Sequence, residues 1–298
     1  MKTTSKFARS FVRNIVRNVA FTALCLGFAT AGFAAKKPLS YPKGLAVDAK
    51  GNLYVANSGG NDILVYNTNY AQVAKDAITS NIINPSAVAI DAQGNVWVAN
   101  YGTSNGGSNG SVAEYTAGKQ NTSASITSGI LGPEALAVDG AGNIWVENDY
   151  TNITVYAPTS VYAPSTTPVR TFSPTFPIYG LTVGDNTVSW GSNAGTYFAP
   201  ATAGLVSGSL QTGYSFGNDN GVALATDASG NVYMGNSSGV VNISFPAGYE
   251  AGPFAQLSFS PGGIAIDNMH GRIYFSNTNG NSISVYSTAT SELLKVIQ

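Results

Sequence analysis

Six residues whose side chains could take part in binding or catalysis stand just ahead of a phrase that the sequence repeats. Four lie five positions before a recurrent aspartate or glycine, and two lie slightly earlier in their repeat: Lys43, Ser86, Glu134, Tyr179, Asp219 and Asn220. The position is constant, while its residue type changes from one repeat to the next. Ammonium, hydroxyl, carboxyl and amide groups suit the recognition of polar ligands, so we predict that this set binds a saccharide, a peptide or a protein.

The number and position of the histidine and acidic residues limit the catalytic mechanisms that this chain could use. His270 is the only histidine and lies inside a turn motif; this count and this position exclude a three-histidine zinc site and a Ser-His-Asp triad. A carboxylate pair for glycoside hydrolysis would have to come from Glu134, Glu147, Asp149 or Asp219. Glu147 and Asp149 flank the end of a predicted strand, so we expect them, like His270, to be solvated residues.

The phrase behind these six residues organises the chain. It reads DAKGNLYVAN in its first copy, DAQGNVWVAN in its second and DGAGNIWVEN in its third. The copies are 43, 48, 45, 43 and 40 residues apart and start at Asp48, Asp91, Asp139, Gly184 (a degenerate copy), Asp227 and Asp267. Periods in this range indicate a propeller or a solenoid.

Each copy has the pattern of short antiparallel strands. An apolar strand with a small residue two positions before the aspartate is typical of the innermost strand of a blade, where neighbouring sheets crowd. A D-x-x-G-N turn follows, in which Asp caps backbone N–H groups and Gly accepts a positive φ. The second strand ends in Asn, which we expect to cap the next loop. With a third and a weaker fourth strand per copy, we predict an all-β fold, a six-bladed β-propeller of four-stranded antiparallel blades.

The repeated phrase, P-x-G-[LIV]-A-[VI]-D-x-x-G-N-[LIV]-[YW]-V-[AE]-N, resembles the NHL repeat from Pro42 to the end of the chain. The resemblance implies an NHL-type or TolB-like propeller over residues 36–298. The family includes interaction scaffolds, lyases and lactonases, so the fold does not fix an activity. We predict a binding or interaction module rather than an enzyme, acting through its top face, onto which the starts of the first strands open.

A second resemblance provides the alternative, an enzyme. The stretch PEALAVDGAGNIWVE, from Pro133, is similar to a motif of gluconolactonase-type propellers of the senescence-marker-protein family. In that family the acidic residue matching Glu134 is a metal ligand and catalytic base, and the Asn matching Asn220 is a metal ligand. Carboxylate and amide oxygens suit Ca²⁺. The resemblance thus implies a Ca²⁺-dependent, lactonase-like hydrolase with Glu134 and Asn220 as metal ligands.

Residues 1–35 have the pattern of an export signal. Five basic residues between Lys2 and Arg17 precede the apolar run VAFTALCLGFATAGFAA. Small residues fit cleavage near Ala34 or Ala35, which predicts a secretory signal peptide and a secreted or periplasmic protein, with a retained membrane anchor as the alternative.

Cleavage would change the charge and the cysteine count. Loss of the five basic residues leaves nine Lys and Arg against fifteen Asp and Glu, a formal net charge of −6. Such a surface argues against nucleic acid or a membrane as partner. The only cysteine leaves with the signal, so the remaining domain must rely on its core rather than on disulfides. We expect it to be a monomer.

The closure of the ring is predicted from the two ends of the repeats. The segment KKPLSY before the first inner strand is short and contains Pro38, which cannot donate to a ladder. Blade six supplies its own fourth strand, LLKVIQ. We therefore predict that blades one and six meet only through side chains, chiefly aliphatic and aromatic ones, and that this seam is the weakest in the ring.

Overall fold

Six short strands stand side by side around a central axis in the computed structural model of the protein, each beginning an antiparallel sheet. The structure describes residues 35–103, 107–160, 163–174, 177–184, 187–192, 195–201, 221–244 and 250–298. The inner strand of every sheet contacts the inner strands of the sheets before and after it, and the last contacts the first. The predicted all-β, six-bladed propeller is confirmed.

The first three blades contain thirteen strands. Blade one consists of β1 (Pro42–Val47), β2 (Leu53–Asn57) and β3 (Asp62–Tyr66). Blade two consists of β4 (Pro85–Ile90), β5 (Val96–Asn100), β6 (Ser111–Thr116) and β7 (Lys119–Ile126). Blade three contains β8 (Pro133–Val138), β9 (Ile144–Asn148) and β10 (Asn152–Tyr156), then a hairpin of β11 (Pro158–Ser160) and β12 (Ala163–Pro164), and finally β13 (Arg170–Phe172).

The other three blades contain eleven strands. Blade four has β14 (Gly180–Gly184), β15 (Thr187–Ser192) and β16 (Gly195–Pro200). Blade five has β17 (Gly221–Thr226), β18 (Val232–Asn236), β19 (Val240–Ser244) and β20 (Glu250–Gln256), and blade six has β21 (Gly263–Asp267), β22 (Arg272–Asn277), β23 (Ser282–Ser287) and β24 (Leu293–Ile297). In blade one, two isolated bridges from β3 to Gln72 and Ile78 take the place of a fourth strand.

The repeated turn between the first and second strands forms as predicted. Asp48 Oδ1 accepts hydrogen bonds from the backbone N–H groups of Lys50 and Asn52, each at 2.8 Å, and Oδ2 accepts one from Asn52 Nδ2. Gly51 takes a φ of 80°, a conformation that glycine adopts readily. The same set of bonds to the aspartate recurs at Asp91, Asp139 and Asp227. Most of the repeated phrase is therefore architecture.

The small residues of the inner strands are required by crowding at the axis. A Cβ atom on Gly44 would lie 2.6 Å from the Cα of Ala87 and 2.9 Å from the carbonyl oxygen of Ser86. A Cβ atom on Gly263 would lie 2.6 Å from the carbonyl oxygen of Lys43. Real Cβ atoms do not approach backbone this closely, so these glycines allow the first strands of neighbouring blades to pack side by side.

Blade six is complete within its own sequence, and among the described residues no strand pairing joins it to blade one. The apolar part of the seam is a single cluster that contains Leu45 and Tyr274. The prediction of a chiefly aliphatic and aromatic seam was incomplete, because polar side chains of blade six also bind the main chain of blade one. Ser276 Oγ donates to Lys43 O at 2.7 Å, and Thr278 Oγ1 donates to Pro42 O at 2.8 Å.

The predicted signal segment, residues 1–35, lies outside the described residues apart from its last residue. Within the described ranges, no helix has the length and hydropathy needed to cross a bilayer.

Candidate functional site

The inner strands of all six blades enclose a cavity of about 270 Å³ on the axis. Its wall includes the residue five positions before each repeated aspartate or glycine, namely Lys43, Ser86, Glu134, Tyr179, Val222 and Gly262. Four of these are predicted binding residues, and the structure brings them together at one opening. The other two predicted residues, Asp219 and Asn220, lie outside the described residues.

The asparagine that ends the second strand holds the loop that leads into the first strand of its blade. In blades one to three its Oδ1 accepts the backbone N–H of a residue 17 positions earlier, in the loop that leads into the first strand. The pairs are Asn57 with Ser40, Asn100 with Ile83, and Asn148 with Leu131. The expectation that this asparagine caps the following loop holds in blades five and six, at Asn236 and Asn277. In the first three blades it holds only in part, because Oδ1 binds the preceding loop while Nδ2 donates to the residue that ends the following loop, namely Asp62, Ser111 and Asn152.

A charged pair spans the opening. Lys43 Nζ lies 3.5 Å from Glu134 Oε2 and 5.7 Å from the ring centroid of Tyr101. Lys43 comes from β1 and Glu134 from β8, so the pair connects two blades that are not neighbours. The side chains are 30% and 18% exposed, which leaves both within reach of a ligand that enters from solvent.

The carboxyl group of Glu134 holds its proton more tightly than an exposed glutamate does. Burial raises its pKa, and the Asp149 carboxylate acts in the same direction. The Lys43 ammonium and the Tyr150 hydroxyl lower the pKa but do not offset burial. A carboxyl group whose pKa is shifted toward neutrality can exchange protons with a bound molecule, as a general acid or base does.

Ser86 is buried, and its hydroxyl is committed to the main chain. The Oγ donates a hydrogen bond to the carbonyl oxygen of Pro133 in blade three and lies 3.2 Å from the carbonyl oxygen of Ala99. Because a serine hydroxyl has a single proton, this bond ties blades two and three together beside Glu134. A direct contact between Ser86 and a ligand stays a prediction.

Two tyrosines form an aromatic wall of the cavity. The rings of Tyr150 and Tyr179 have centroids 5.3 Å apart at an interplanar angle of 47°. Tyr150, which the sequence reasoning did not select, follows β9 and is 41% exposed. Both it and Asp149 have positive φ values, 61° and 42°. That backbone region is disfavoured for a bulky aromatic residue, so the loop must be held in place by its surroundings.

Glu147 is the main correction to the sequence reasoning. It was expected to be solvated, but its exposed fraction is 0%. The strand continues through Asn148, so the Glu147 side chain points between blades three and four, on the same face of β9 as Trp145. Burial raises its pKa well above the ordinary glutamate value, and Glu134 and Asp149 add to the increase. Its Oε2 atom has no hydrogen-bond partner among the described residues.

His270 lies away from the cavity, in the turn between the first two strands of blade six, and is exposed as predicted. Its side chain is 31% exposed, and its Nδ1 lies 2.7 Å from Asp267 Oδ2. A Cβ atom on Gly51 would meet the ring at 2.6 Å. His270 therefore packs against the turn of blade one and belongs to the seam.

No metal site is identified among the described residues. Among them, no cluster of three or more His, Cys, Asp or Glu side chains is close enough to hold one. Glu134 Oε2 faces the Lys43 ammonium, a cation that would repel a metal at that oxygen. The Ca²⁺ prediction depends on Asn220, outside the described residues, and stays a prediction.

No protein-family profile and no curated protein sequence matches the chain. Solved structures do match it. A streptogramin B lyase has a TM-score of 0.62 at 14% identity, covering 89% of this chain and 85% of its own. A gluconolactonase from Xanthomonas campestris has a TM-score of 0.63 at 15% identity, covering 80% of this chain and 84% of its own. A virginiamycin B lyase from Staphylococcus aureus has a TM-score of 0.56 at 14% identity, covering 85% and 83%. At such identities the likeness shows the propeller fold alone, and the NHL assignment stays a prediction.

Proposed function

We propose that this protein is an exported propeller that binds a small, neutral, polar ligand of the saccharide type in the axial cavity. The observation that carries the proposal is the Lys43–Glu134 pair in the cavity wall. The two charges offset each other, so the cavity as a whole favours neither an anion nor a cation. The hydroxyl groups of a sugar can instead accept a hydrogen bond from the ammonium and donate one to the carboxylate.

The tyrosine pair supports the same ligand class. The rings of Tyr150 and Tyr179 both line the cavity, and an aromatic ring offers an apolar face together with a polar hydroxyl. A sugar ring has the matching combination of C–H faces and hydroxyl edges. The cavity volume of about 270 Å³ is at the small end of ligand sites, which favours a ligand of one or two sugar units.

Calorimetric titration with neutral monosaccharides and disaccharides tests this proposal. At least one should bind, and Tyr150→Ala and Lys43→Met should each weaken binding about tenfold, as loss of ~1.4 kcal/mol implies. Met269→Ala is the control, because Met269 is 70% exposed in a turn on the opposite face. Absence of binding to every neutral sugar at millimolar concentration, or equal binding of the Tyr150→Ala variant, would contradict the proposal.

A second function is favoured by the raised pKa of Glu134, namely hydrolysis of a sugar lactone. Glu134 takes a proton from water, the water oxygen attacks the carbonyl carbon, and the Lys43 ammonium stabilises the negative charge on the carbonyl oxygen. The ring C–O bond then breaks, and the proton passes to the leaving oxygen. A pH-indicator assay with a δ-lactone should show turnover that Glu134→Gln abolishes. Activity that EDTA removes and Ca²⁺ restores would point to the metal-dependent form instead.

Export is tested separately. The sequence of residues 1–35 supports cleavage near Ala34 or Ala35. N-terminal sequencing of protein recovered from the periplasm or medium should therefore start at Ala35 or Lys36. Recovery of the intact chain in the membrane fraction would favour the retained anchor.

A further inference from the structure

One position of the repeat carries a residue in blade three that no other blade resembles. This position is the next-to-last residue of the second strand in each blade. The strand pairing places it opposite the start of the first strand. Its occupants in the other blades are small: Ala56, Ala99, Gly191, Gly235 and Ser276. In blade three the occupant is Glu147, buried and with one carboxyl oxygen unpaired. A buried carboxyl group in place of Ala or Gly costs stability, which points to a role outside the architecture.

The contacts of Glu147 lead to the axial cavity. Its Oε1 accepts a hydrogen bond of 2.5 Å from the backbone N–H of Tyr150. The backbone N–H of Glu134 also acts on this carboxyl group and, like that of Tyr150, lowers its pKa. Both of these residues line the cavity. Glu147 does not, so it lies behind the wall and binds the main chain of Tyr150 within it.

The backbone at Tyr150 needs such support. The residue has a φ of 61°, and both its N–H and its carbonyl group are hydrogen-bonded. The N–H is bound by Glu147, and the carbonyl oxygen accepts a hydrogen bond of 3.1 Å from the N–H of Ile178, next to Tyr179. The Glu147 carboxyl is thus the only side chain among the described residues that is seen to bind the amide of Tyr150.

We infer that Glu147 is a positioning residue for the axial cavity, whose carboxyl group holds the main chain of Tyr150 and so fixes the side chain of Tyr150, and that of Glu134 next to it, beside Lys43. The ionisable groups that act on it are Glu134 from β8 and Asp149 and Tyr150 from the loop after β9, and Tyr179 of blade four packs against Tyr150. Burial and the neighbouring carboxylates favour the protonated form. The inference deepens the proposed function and rests on it for the meaning of the cavity, but its test uses the protein without any ligand.

The test is a titration of the glutamate side chains by ¹³C NMR, using protein labelled at the glutamate δ carbon. The chain has only five glutamates: Glu114, Glu134, Glu147, Glu250 and Glu292.

Glu147→Gln keeps the Oε1 acceptor and should leave the pKa of Glu134 at its parent value. Glu147→Met keeps the volume but removes the acceptor, so Glu134 should move toward solvent and its pKa should fall toward the ordinary value. Glu114→Gln is the matched control, because Glu114 is also buried and also has a raised pKa, but lies in β6 away from the cavity.

The outcomes separate positioning from other roles. An unchanged Glu134 pKa in Glu147→Met would overturn the inference, and an equal shift in Glu147→Gln would show an effect of charge and overturn it too. Hydrogen exchange on the parent protein gives a result even where Glu147→Met does not fold: the Tyr150 amide should exchange at least about tenfold more slowly than a free loop amide. Exchange at the free rate would overturn the inference. None of these readouts depends on sugar binding, so failure of the proposed ligand and failure of the positioning role are distinguishable.

Discussion

The ammonium nitrogen of Lys43 lies 3.5 Å from Oε2 of Glu134, although 91 positions separate the two residues in the chain. A strong hydrogen bond between an ammonium and a carboxylate is about 2.7–2.9 Å long. The pair is therefore close enough for each charge to act on the other's protonation, and open enough for a ligand group to bind to both.

Lys43→Met should raise the pKa of Glu134 further. The ammonium favours the ionised carboxylate and lowers that pKa in the parent protein, so its loss leaves burial and the Asp149 carboxylate unopposed except by Tyr150. The ¹³C titration of the five glutamates measures the change. Lys75→Met is the control, since Lys75 is 81% exposed and pairs with Asp76. A fall in the Glu134 pKa would contradict the pairing seen in the structure.

The free energy of unfolding should decrease as the pH rises from 4.5 toward neutrality. Glu114, Glu134 and Glu147 all have pKa values above the ordinary 4.5 in the folded protein. A carboxyl group whose pKa is higher in the folded state binds its proton more tightly there, so protonation stabilises the folded protein. This stabilisation is complete below the unfolded-state pKa and is lost as the pH rises through the folded-state pKa.

Glu147→Gln isolates the largest part of that dependence. The amide cannot ionise, so the decrease in unfolding free energy between pH 4.5 and neutrality should be smaller in the variant than in the parent. Urea unfolding at a series of pH values measures it, with Glu292→Gln as the exposed control. A variant with the same pH dependence as the parent would show that Glu147 does not titrate differently in the folded state.

Gly44→Ala should destabilise the protein by about 1–3 kcal/mol. The new methyl group would lie 2.6 Å from the Cα of Ala87 and must push two inner strands apart. Gly140→Ala is the matched control, because nothing lies within 4 Å of a Cβ atom there. Urea unfolding of both variants gives the comparison. A Gly44→Ala variant as stable as the Gly140→Ala variant would mean that the inner strands are not tightly packed.

The double variant Ser276→Ala, Thr278→Val should loosen the seam between blades one and six. It removes the hydrogen bonds to Lys43 O and Pro42 O, each worth about 1 kcal/mol. Amide exchange should accelerate in β1 and β21 while that of β8 stays constant. Thr290→Val is the control, because the Thr290 hydroxyl donates to the exposed Glu292 within the same blade. The predicted weakness of this seam is unsupported if exchange in β1 does not respond.

The sequence predicts the fold well because the fold is repetitive. The aspartate of each turn makes the same local hydrogen bonds, over two to four residues, in four blades. Such bonds depend only on nearby residues, so the pattern in the sequence translates directly into structure. The ring position of Lys43, Ser86, Glu134 and Tyr179 follows from that repetition, since equivalent positions of a ring face the same axis.

The fine structure of the site could not be predicted because it depends on contacts between blades. In the sequence, Glu147 resembles a solvated residue at a strand end, but blade four covers it in the structure. Ser86 resembles a free hydroxyl, but it donates a hydrogen bond to the carbonyl oxygen of Pro133 in the next blade. One signal was present in the sequence: Glu147 breaks a run of Ala, Gly and Ser at its position in the repeat. Comparison of the copies for their exceptions, rather than their consensus, would have identified it.

The seam has a consequence for how such a protein can change over generations. In blades two, three, five and six, all four strands of a sheet come from one stretch of chain, and among the described residues no strand is exchanged between the first blade and the last. A duplication or deletion of one repeat would therefore add or remove a whole sheet without changing the strand pairing of any other sheet. The same independence predicts that circular permutants opened between two blades can assemble, since within the described residues no sheet takes a strand from a distant part of the chain.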